Sequence, residues 1–329
     1  MRAAYDQGFI QVTHLVNRLL KRENMSPVLI TGSTGYIGQN IAKSLVNKGF
    51  NVHLIARLTS NVNCFDGFSK MHIHRYDDKY ATLNNIIREV RPNTVFHLAT
   101  ASFYDHTDHV EELVEANIQF GLYLLEAMKK NSCYYLVNTG SYAQHYNTLD
   151  YNPQNLYAAT KQAFEAVIDY YVHAHKFKVI TLKLVDVYGP NDTRKKIFNL
   201  LINAAVNEER LNLSPGGQLL DLIYIDDVVE AYVTTHFLLH EQKMQTSFHK
   251  KYFVASGVFT SLKEIVKLYS TLLAKEVPVL FGGRSYRERE IMIPQIGELL
   301  PRWKAKISLK DGLQRLISAD KILIKEKMQ

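Results

Sequence analysis

Tyr157 and Lys161 are the first residues whose types and spacing predict chemistry, because they stand four residues apart in Tyr-Ala-Ala-Thr-Lys. On a helix this spacing places the phenol and the ammonium on the same face. A free phenol has a pKa of about 10 and is a weak base at neutral pH, but a neighbouring positive charge favours the phenolate and lowers that value. The pair therefore predicts a proton-transfer site in which Tyr157 is the general acid/base.

Two hydroxyl side chains, Thr139 and Ser141, precede this pair and follow an apolar strand pattern at 134–138. Open parallel sheets keep their sites at the carboxyl ends of strands. Because a Tyr-x-x-x-Lys spacing often arises by chance, the hydroxyl-rich turn is the feature that gives the pair its weight. Thr139, Ser141, Tyr157 and Lys161 form the candidate catalytic set.

A second chemical signal is the glycine-rich segment 32–38, which follows the apolar run 28–30. Glycine permits a tight turn, a close approach of the main chain to a pyrophosphate, and close packing of a helix on a strand. The helix N-terminus adds N–H groups and a partial positive charge. An amphipathic stretch and a second apolar strand complete a βαβ unit. The sequence therefore predicts a dinucleotide site that includes Gly32, Thr34, Gly35, Tyr36, Ile37 and Gly38.

The end of the second strand indicates which dinucleotide binds. A carboxylate at this place normally accepts hydrogen bonds from the adenosine ribose and selects NAD(H). This chain has Ala56 and Arg57 there, and a guanidinium forms charge-assisted hydrogen bonds with a phosphate. The sequence favours NADP(H), with NAD(H) as the second choice and a solvated surface arginine as the alternative interpretation. Asp77 or Asp78 is placed to accept from the adenine amino group, or else caps the next helix.

Alternating strands and helices from residue 25 onward must bring these residues together. We predict strands at 28–31, 52–56, 71–75, 94–99, 134–138, 178–184 and 252–254 and helices at 36–48, 80–91, 108–130, 156–176, 195–209, 226–240 and 261–274. This order is typical of an α/β fold with a parallel sheet covered on both faces. The alternation of strands and helices becomes less regular after Gly189, as expected for a smaller lobe interleaved with the end of the sheet.

Several signals occur in order and together carry a family resemblance. They are the glycine-rich segment, His97-Leu-Ala99, Asn117, Thr139/Ser141, Tyr157-x-x-x-Lys161, Tyr188-Gly-Pro190 and Ile223-x-x-Asp226-Asp227-Val228. Over about residues 25 to 300 they resemble the extended short-chain dehydrogenase/reductase family, in its NAD-dependent epimerase/dehydratase group, which acts on nucleotide sugars. The resemblance implies a doubly wound Rossmann domain at 25–186 and a substrate lobe at 187–329, of which about 219–254 return to the first domain.

The resemblance also implies roles for individual residues. Tyr157 is the general acid/base, Lys161 lowers its pKa and holds the nicotinamide ribose, and Ser141 or Thr139 bonds the reacting sugar oxygen, with Ser141 preferred. Further cofactor contacts are expected at Leu98, Ala99, Thr100 and Asn117.

The substrate side is expected to involve Ser141 and five further residues, Thr100, His145, Asn191, Arg194 and Arg287. Asn191, Arg194 and Arg287 are candidates for the nucleotide diphosphate, although a solvated helix start and a charged surface loop are equally good interpretations. Thr100 follows the His97-Leu-Ala99 motif and is expected to line the nicotinamide site. His145 follows Ser141 closely in the sequence and is interpreted as a substrate-positioning or structural residue.

Positions at which this chain departs from the family pattern reduce the number of reactions that it is expected to catalyse. Dehydratases of this group carry an Asp-Glu pair after the catalytic Thr, whereas this chain has Tyr142-Ala143 after Ser141. A 4-epimerase retains bound NAD, whereas Arg57 favours a soluble reductant. Segments 138–146 and 155–161 resemble reductases of CDP-linked deoxyhexuloses, of the abequose and paratose synthase kind. We predict NADP(H)-dependent reduction of a nucleotide-linked 4-keto-deoxyhexose. The alternatives are an NAD-dependent 4-epimerase and a dinucleotide sensor without turnover, against which the intact Tyr157/Lys161 pair argues.

The charge of the chain is concentrated at its ends. Of the formal net charge of +7, residues 1 to 24 (four basic, two acidic) and 304 to 329 (seven basic, three acidic) carry all but +1. This distribution argues against nucleic acid as a partner. Cys64 and Cys133 lack CxxC or metal-ligand spacing and are expected to be free thiols, and no metal site is predicted.

Apolar runs are all shorter than the roughly 20 residues that span a bilayer, and a secretory signal pattern is absent. The sequence therefore predicts a cytoplasmic protein with no membrane span. Residues 1–24 have helical apolar spacing and predict an added amphipathic helix packed on the domain or on a partner subunit. Helices 108–130 and 156–176 resemble the dimer helices of the family, which implies a homodimer.

Overall fold

The computed structural model describes residues 26–102, 109–241 and 246–327, with side chains to residue 319. The N-terminal helix expected at 1–24 lies outside these residues. Twelve strands are present in the described part: β1 (Pro27–Thr31), β2 (Asn51–Arg57), β3 (Met71–Tyr76), β4 (Thr94–His97), β5 (Tyr135–Ser141), β6 (Lys178–Leu184), β7 (Asp186–Tyr188), β8 (Leu211–Leu213), β9 (Leu219–Tyr224), β10 (Phe248–Val254), β11 (Phe259–Ser261) and β12 (Val279–Phe281).

The helices of the described residues alternate with these strands. They are α1 (Tyr36–Asn47), α2 (Tyr80–Val90), α3 (Val110–Val114), α4 (Phe120–Lys130), α5 (Leu156–His175), α6 (Ile197–Asn207), α7 (Ile225–Glu241), α8 (Leu262–Leu273) and α9 (Leu309–Lys327). A π-helical turn, Glu115–Gln119, joins α3 to α4, and a short 3₁₀ turn, Tyr142–Gln144, follows β5.

Seven parallel strands form the main sheet in the order β10-β6-β5-β4-β1-β2-β3. Its central strands are apolar and buried because helices cover both faces. Ile41 of α1 and Val228 of α7 pack on one face, and Leu83 of α2, Leu124 of α4 and Phe164 of α5 pack on the other. The predicted α/β fold with a doubly wound Rossmann sheet is confirmed.

The strand order reverses between β1 and β4, since the chain runs from β1 to β2 and β3 on one side and from β4 to β6 on the other. Doubly wound sheets bind ligands at such a switch point, outside the carboxyl ends of the strands. Residues that follow β1, β4 and β5 therefore meet at one crevice.

Short strands after residue 185 were not predicted from the sequence. β7, β9 and β11 form a three-stranded sheet, and β8 pairs with β12. β10 joins the main sheet beside β6, and α7 packs against α1, whereas β9 lies in the small sheet. Four of these strands have only three residues, which is too short for an alternating apolar pattern to be recognised in the sequence; β9, with six residues, was also not predicted.

Two elements near the crevice differ from prediction. β5 continues to Ser141, because it pairs with β6 as far as the Ser141–Leu184 register, so the hydroxyl residues end a strand rather than form a turn. The helix predicted at 108–130 is interrupted by the π-helical turn around Asn117, whose buried amide bonds the main chain of Ala101.

No helix among the described residues combines the length and the apolarity needed to cross a membrane. Cys64 is half-buried and Cys133 is buried, and both are free thiols.

Candidate active site

The turn after β1 is built so that only glycine fits at two of its positions. Gly32 has φ of +66°, and a Cβ there would lie 2.5 Å from the Ala99 nitrogen. A Cβ at Gly38 would lie 2.2 Å from the Gly32 carbonyl oxygen. Gly35 is the N-cap of α1, which has neither a capping side chain nor an acidic residue in its first turn. The N–H groups in the first turn of α1 therefore have no side-chain acceptor at the cap and can bind an anion.

A cavity of about 940 Å³ opens at this turn and runs across the switch point. Its wall brings together most of the cofactor and catalytic residues predicted from the sequence: Gly32, Thr34, Gly35, Tyr36, Ile37, Gly38, Arg57, Leu98, Ala99, Thr100, Thr139, Ser141 and Tyr157. Lys161 and Asn117 are 2% and 1% exposed and lie behind this wall.

Tyr157 lies in the first turn of α5 and is 8% exposed. That turn is fixed by Asn155, whose side-chain oxygen accepts a hydrogen bond from the Ala158 nitrogen at 2.9 Å. Lys161 follows one turn later. Burial lowers the pKa of its ammonium to about 8, with Glu165 opposing the shift and Lys183 adding to it. Tyr157 thus lines the cavity, and a buried ammonium follows it one helical turn later on the same helix.

The hydroxyls of Thr139 and Ser141 are held differently. Thr139 Oγ1 donates to the His97 carbonyl oxygen at 2.8 Å and lies 2.6 Å from Tyr232 Oη. Ser141 Oγ accepts from the Ala143 nitrogen at 3.2 Å, as the cap of the 3₁₀ turn, and no described residue accepts its proton. Ser141 therefore retains a donor for a ligand, whereas Thr139 uses its own within the protein.

His97, the last residue of β4, packs inside the sheet. Its Nδ1 lies 2.8 Å from Thr31 Oγ1, and the residue is fully buried. Burial lowers the pKa of the imidazole to about 3, and the neighbouring Lys161 adds to this effect. His97 is thus a neutral structural residue beside the site.

Arg57 lies at the end of β2 on the cavity wall, together with Ser60. Arg75 Nη1 donates to the carbonyl oxygens of Arg57 and Ser60, at 3.1 and 2.8 Å, and so braces this turn. No carboxylate in the described ranges forms an ion pair with the Arg57 guanidinium. Arg57 thus lines the cavity without a counter-ion among the described residues.

The two aspartates after β3 separate in the structure. Asp78 lies on the cavity wall, whereas Asp77 does not and instead pairs with Lys79, whose Nζ is 3.4 Å from Asp77 Oδ2. Of the two candidates for the adenine-side acceptor, only Asp78 therefore lines the cavity. Neither aspartate caps α2, whose N-cap residue is Lys79.

Asn117 supports the wall from behind. Its Oδ1 accepts from Thr100 Oγ1 at 2.9 Å and from the Ala101 nitrogen at 2.8 Å, and its Nδ2 donates to Thr160 Oγ1 at 2.9 Å. The residue therefore joins the loop after β4 to the helix of Tyr157. Its side chain is directed to these protein groups and not to the cavity, so a direct cofactor contact is replaced by a positioning role.

A second cavity, of about 760 Å³, lies against the smaller lobe and contains Asn191 and Arg287. The two cavities adjoin, because both are lined by Tyr142, Asp186 and Lys196. Tyr142 Oη donates to Asp186 Oδ2 at 2.8 Å, and Lys196 Nζ lies 3.2 Å from Asp186 Oδ1. Sequence reasoning missed Asp186, although its place directly after β6 was a signal for it.

Arg194 and His145 are not where the sequence predicted them. Arg194 lines the first cavity and not the second, because its guanidinium stacks 4.8 Å from the Tyr36 ring centre and pairs with Asp192. His145 lies on neither wall. Its Nδ1 contacts the Asp150 carbonyl oxygen at 3.2 Å, and its ring packs 5.5 Å from Phe253. Burial, with Lys183, lowers the pKa of His145. This packing agrees with the structural interpretation of His145, and the residue lines neither cavity.

The first cavity fits a dinucleotide. The glycine turn excludes side chains from the N-terminus of α1, which suits a pyrophosphate. Arg57 and Asp78 suit the adenosine end, and Tyr157 and Ser141 the end that meets the second cavity.

Comparisons with known proteins agree with this geometry. The sequence model of the NAD-dependent epimerase/dehydratase family matches residues 28–245. The CDP-abequose synthase of Yersinia pseudotuberculosis is 29% identical over 297 residues, 89% of this chain and 98% of that protein. That of Salmonella typhimurium is 26% identical over 301 residues, covering 88% and 97%.

Among solved structures, the fold is similar to that of the UDP-glucose 4-epimerase of Thermus thermophilus in its complex with NAD. The TM-score is 0.77 and the identity is 21%, over 90% of this chain and 99% of that chain. At this identity the likeness shows the fold alone.

Proposed function

The chain belongs to the NAD-dependent epimerase/dehydratase family, and from that premise we propose that it is an NADP(H)-dependent reductase of a nucleotide-linked 4-keto-deoxyhexose, of the CDP-3,6-dideoxyhexulose type, in deoxysugar biosynthesis. The observation that carries the proposal is that Tyr157 and Ser141 line the dinucleotide cavity where it adjoins the second cavity. The two CDP-abequose synthases, similar over nearly their whole length, support the CDP-sugar class.

The residues of the site suit carbonyl reduction. When bound, a reduced nicotinamide supplies the hydride. The Ser141 hydroxyl donates a hydrogen bond to the ketone oxygen and stabilises the negative charge that develops there. The Tyr157 phenol gives its proton to that oxygen, and the Lys161 ammonium favours the phenolate that remains. We assign the nucleotide diphosphate to Asn191 and Arg287, and their place on the wall of the second cavity supports this role.

The choice of NADP(H) rests on Arg57. Its guanidinium reaches the adenosine end of the cavity without a carboxylate partner among the described residues, as a 2′-phosphate requires. The competing function is an NAD-dependent nucleotide-sugar 4-epimerase. It is favoured by the likeness in fold to the Thermus epimerase, whose solved complex holds NAD.

The test is a separate titration of the purified protein with NADPH and NADH, followed by CDP-, dTDP-, UDP- and GDP-linked 4-keto-6-deoxy sugars, with oxidation of the reduced cofactor as the readout. We expect NADPH to bind more tightly and to be oxidised with the CDP series. Tyr157→Phe should abolish most turnover and keep NADPH binding. Tyr151→Phe, at an exposed site just before the helix of Tyr157, is the matched control. Stoichiometric NAD released on denaturation, with no response to NADPH, would move the assignment to the epimerase.

We also propose a homodimer formed through α4 and α5. Exposed apolar side chains on these helices and on α3, namely Val114, Leu122 and Tyr170, support a covered face. Light scattering after size-exclusion chromatography tests it, and a mass equal to one chain at micromolar concentration would rule the dimer out.

A further inference from the structure

A buried carboxylate lies next to the proposed catalytic residues and has no part in the steps above. Glu165 is on α5, one helical turn after Lys161, and is 0% exposed. Lys183 Nζ, on β6, lies 3.1 Å from Glu165 Oε1, and Lys251 Nζ, on β10, lies 3.5 Å from Oε2. Because Lys183 is itself 3% exposed, this ion pair is almost completely removed from water.

The same carboxylate is connected to Ser141 through one side chain. Gln144 Nε2 donates to Glu165 Oε1 at 2.8 Å, and Gln144 Oε1 accepts from the Ser141 nitrogen at 2.9 Å. These groups lie directly against the end of β5. A Cβ at Gly140 would be 3.0 Å from Gln144 Oε1 and 3.2 Å from Glu165 Oε1. The 3₁₀ turn that presents the Ser141 hydroxyl is thus anchored on Glu165.

Charge links Glu165 to Lys161 as well. Two ammonium groups, Lys161 and Lys183, are buried in the same region, and a buried cation is costly without a nearby anion. Burial opposes ionisation of Glu165, but Lys183, Gln144 and Lys251 outweigh it and lower the pKa of the carboxyl. Glu165 is therefore the negative charge of this cluster.

We propose that Glu165 is a positioning residue for the reaction: its carboxylate anchors the Ser141 turn through Gln144 and keeps Lys161 charged beside Lys183. The proposal rests on the proposed function, since it assigns a role through Tyr157, Lys161 and Ser141. It gives Glu165 no contact with substrate or cofactor. Its action is to fix the place of one hydroxyl and the protonation state of one amine.

The charged and titratable groups around Glu165 come from several elements. Lys161 and Asp169 lie on its own helix, Lys183 on β6, and Lys251 on β10. His145, after the 3₁₀ turn, and His97, on β4, complete the set, and both are held neutral by burial. Asp169 pairs with Lys251 and His249 at the more exposed end of the cluster.

The experiment is titration of Lys161 by NMR with carbon-labelled lysine in the full chain, assigned with Lys161→Met. Burial sets the wild-type pKa at about 8. In Glu165→Gln we expect this midpoint to fall by about one pH unit, because the amide keeps the bond to Gln144 but no longer offsets Lys183. The alkaline limb of kcat should move to lower pH by the same amount, with a loss of about fivefold at about pH 8 and little change in KM.

Two further variants separate this role from simple destabilisation. Asp169→Asn removes a carboxylate from the same helix and the same Lys251, so it should leave the Lys161 midpoint unchanged. Glu165→Gln combined with Lys183→Met removes both opposing charges and should return the midpoint toward the wild-type value. A melting temperature that falls in Glu165→Gln while the Lys161 midpoint and the kcat profile stay in place would overturn the proposal.

The two proposals fail in different ways. If the wild-type protein oxidises no NADPH with any keto sugar, the proposed function fails, but the NMR titration still decides whether Glu165 controls Lys161. If turnover is present and the titrations of wild-type and Glu165→Gln coincide, the role of Glu165 fails and the reductase remains.

Discussion

At the scale of single residues, the hydroxyls of Thr139 and Ser141 differ in whether their proton is already used in a hydrogen bond within the protein. Thr139 donates its hydroxyl proton to the His97 carbonyl, whereas Ser141 accepts from Ala143 and keeps its proton for a ligand. Arg57 is likewise left with unused donors, because no carboxylate among the described residues pairs with its guanidinium. In both cases the side chain that remains available is the one expected to act.

We predict different losses for the two hydroxyls. Ser141→Ala should lower kcat by about 100-fold, because it removes a hydrogen-bond donor to the developing oxyanion. It should cost only about 1 kcal/mol of stability, from loss of the cap of the 3₁₀ turn. Thr139→Val should lower the free energy of unfolding by about 1–3 kcal/mol, because the His97 carbonyl and Tyr232 hydroxyl lose a partner. Steady-state kinetics and urea unfolding on both variants check this, and the opposite pattern would make Thr139 the catalytic hydroxyl.

For Arg57→Ala, NADPH should bind about tenfold more weakly or worse, because a charge-assisted hydrogen bond to the 2′-phosphate is lost. NADH, which lacks that phosphate, should bind as before. Fluorescence titration with each cofactor measures the ratio, and Arg88→Ala, at an exposed position on α2, is the control. Equal weakening of both cofactors would show that the arginine does not read the phosphate.

At the scale of elements, the carboxyl ends of neighbouring strands and the first turns of α1 and α5 form the site. β1 delivers the glycine turn, β4 the loop braced by Asn117, and β5 the 3₁₀ turn of Ser141. The π-helical turn replaces regular α-helical hydrogen bonds, which is locally unfavourable. In return, Asn117 forms hydrogen bonds with both the main chain of Ala101 and the Thr160 hydroxyl. Positioning therefore comes from main-chain geometry and from buried amides, and at β5 one of these amides, Gln144, is held by the ion-paired Glu165.

Two substitutions in the glycine turn should distinguish an effect on folding from an effect on cofactor binding. Gly38→Ala should destabilise the protein by about 1–3 kcal/mol, because the new Cβ would collide with the Gly32 carbonyl oxygen at 2.2 Å. Gly35→Ala meets only a contact of 3.3 Å, so it should fold nearly normally and bind NADPH more weakly, since it crowds the pyrophosphate. Thermal unfolding and NADPH titration provide the two readouts, and a normally stable Gly38→Ala would contradict the collision.

At the scale of the whole molecule, buried imidazoles connect stability to pH. Burial and Lys161 lower the pKa of His97 from 6.5 to about 3. Below about pH 6.5 the unfolded chain binds a proton at this residue that the folded chain does not bind until about pH 3. The free energy of unfolding therefore decreases as the pH falls through this window.

We expect His97 to account for a loss of about 2 kcal/mol between about pH 7 and about pH 5, at about 1.4 kcal/mol per pH unit. His97→Asn should flatten this dependence by one proton, whatever its effect on stability at neutral pH. His173→Asn, at an exposed site, is the control. Urea unfolding across this range measures the slope, and equal slopes in wild-type and His97→Asn would show that His97 is not kept neutral by the fold.

The sequence by itself determined the α/β class, the glycine turn, and the places of Tyr157, Ser141 and Arg57 on the cavity wall. These depend on local patterns: glycine spacing, strand periodicity, and a four-residue helical repeat. Only the tertiary structure decided that Asp78 rather than Asp77 reaches the cavity, that Arg194 stacks on Tyr36, and that Glu165 sits beneath Ser141. Those contacts join residues from different strands and helices, so their register and packing, which sequence spacing does not specify, fix which side chains meet.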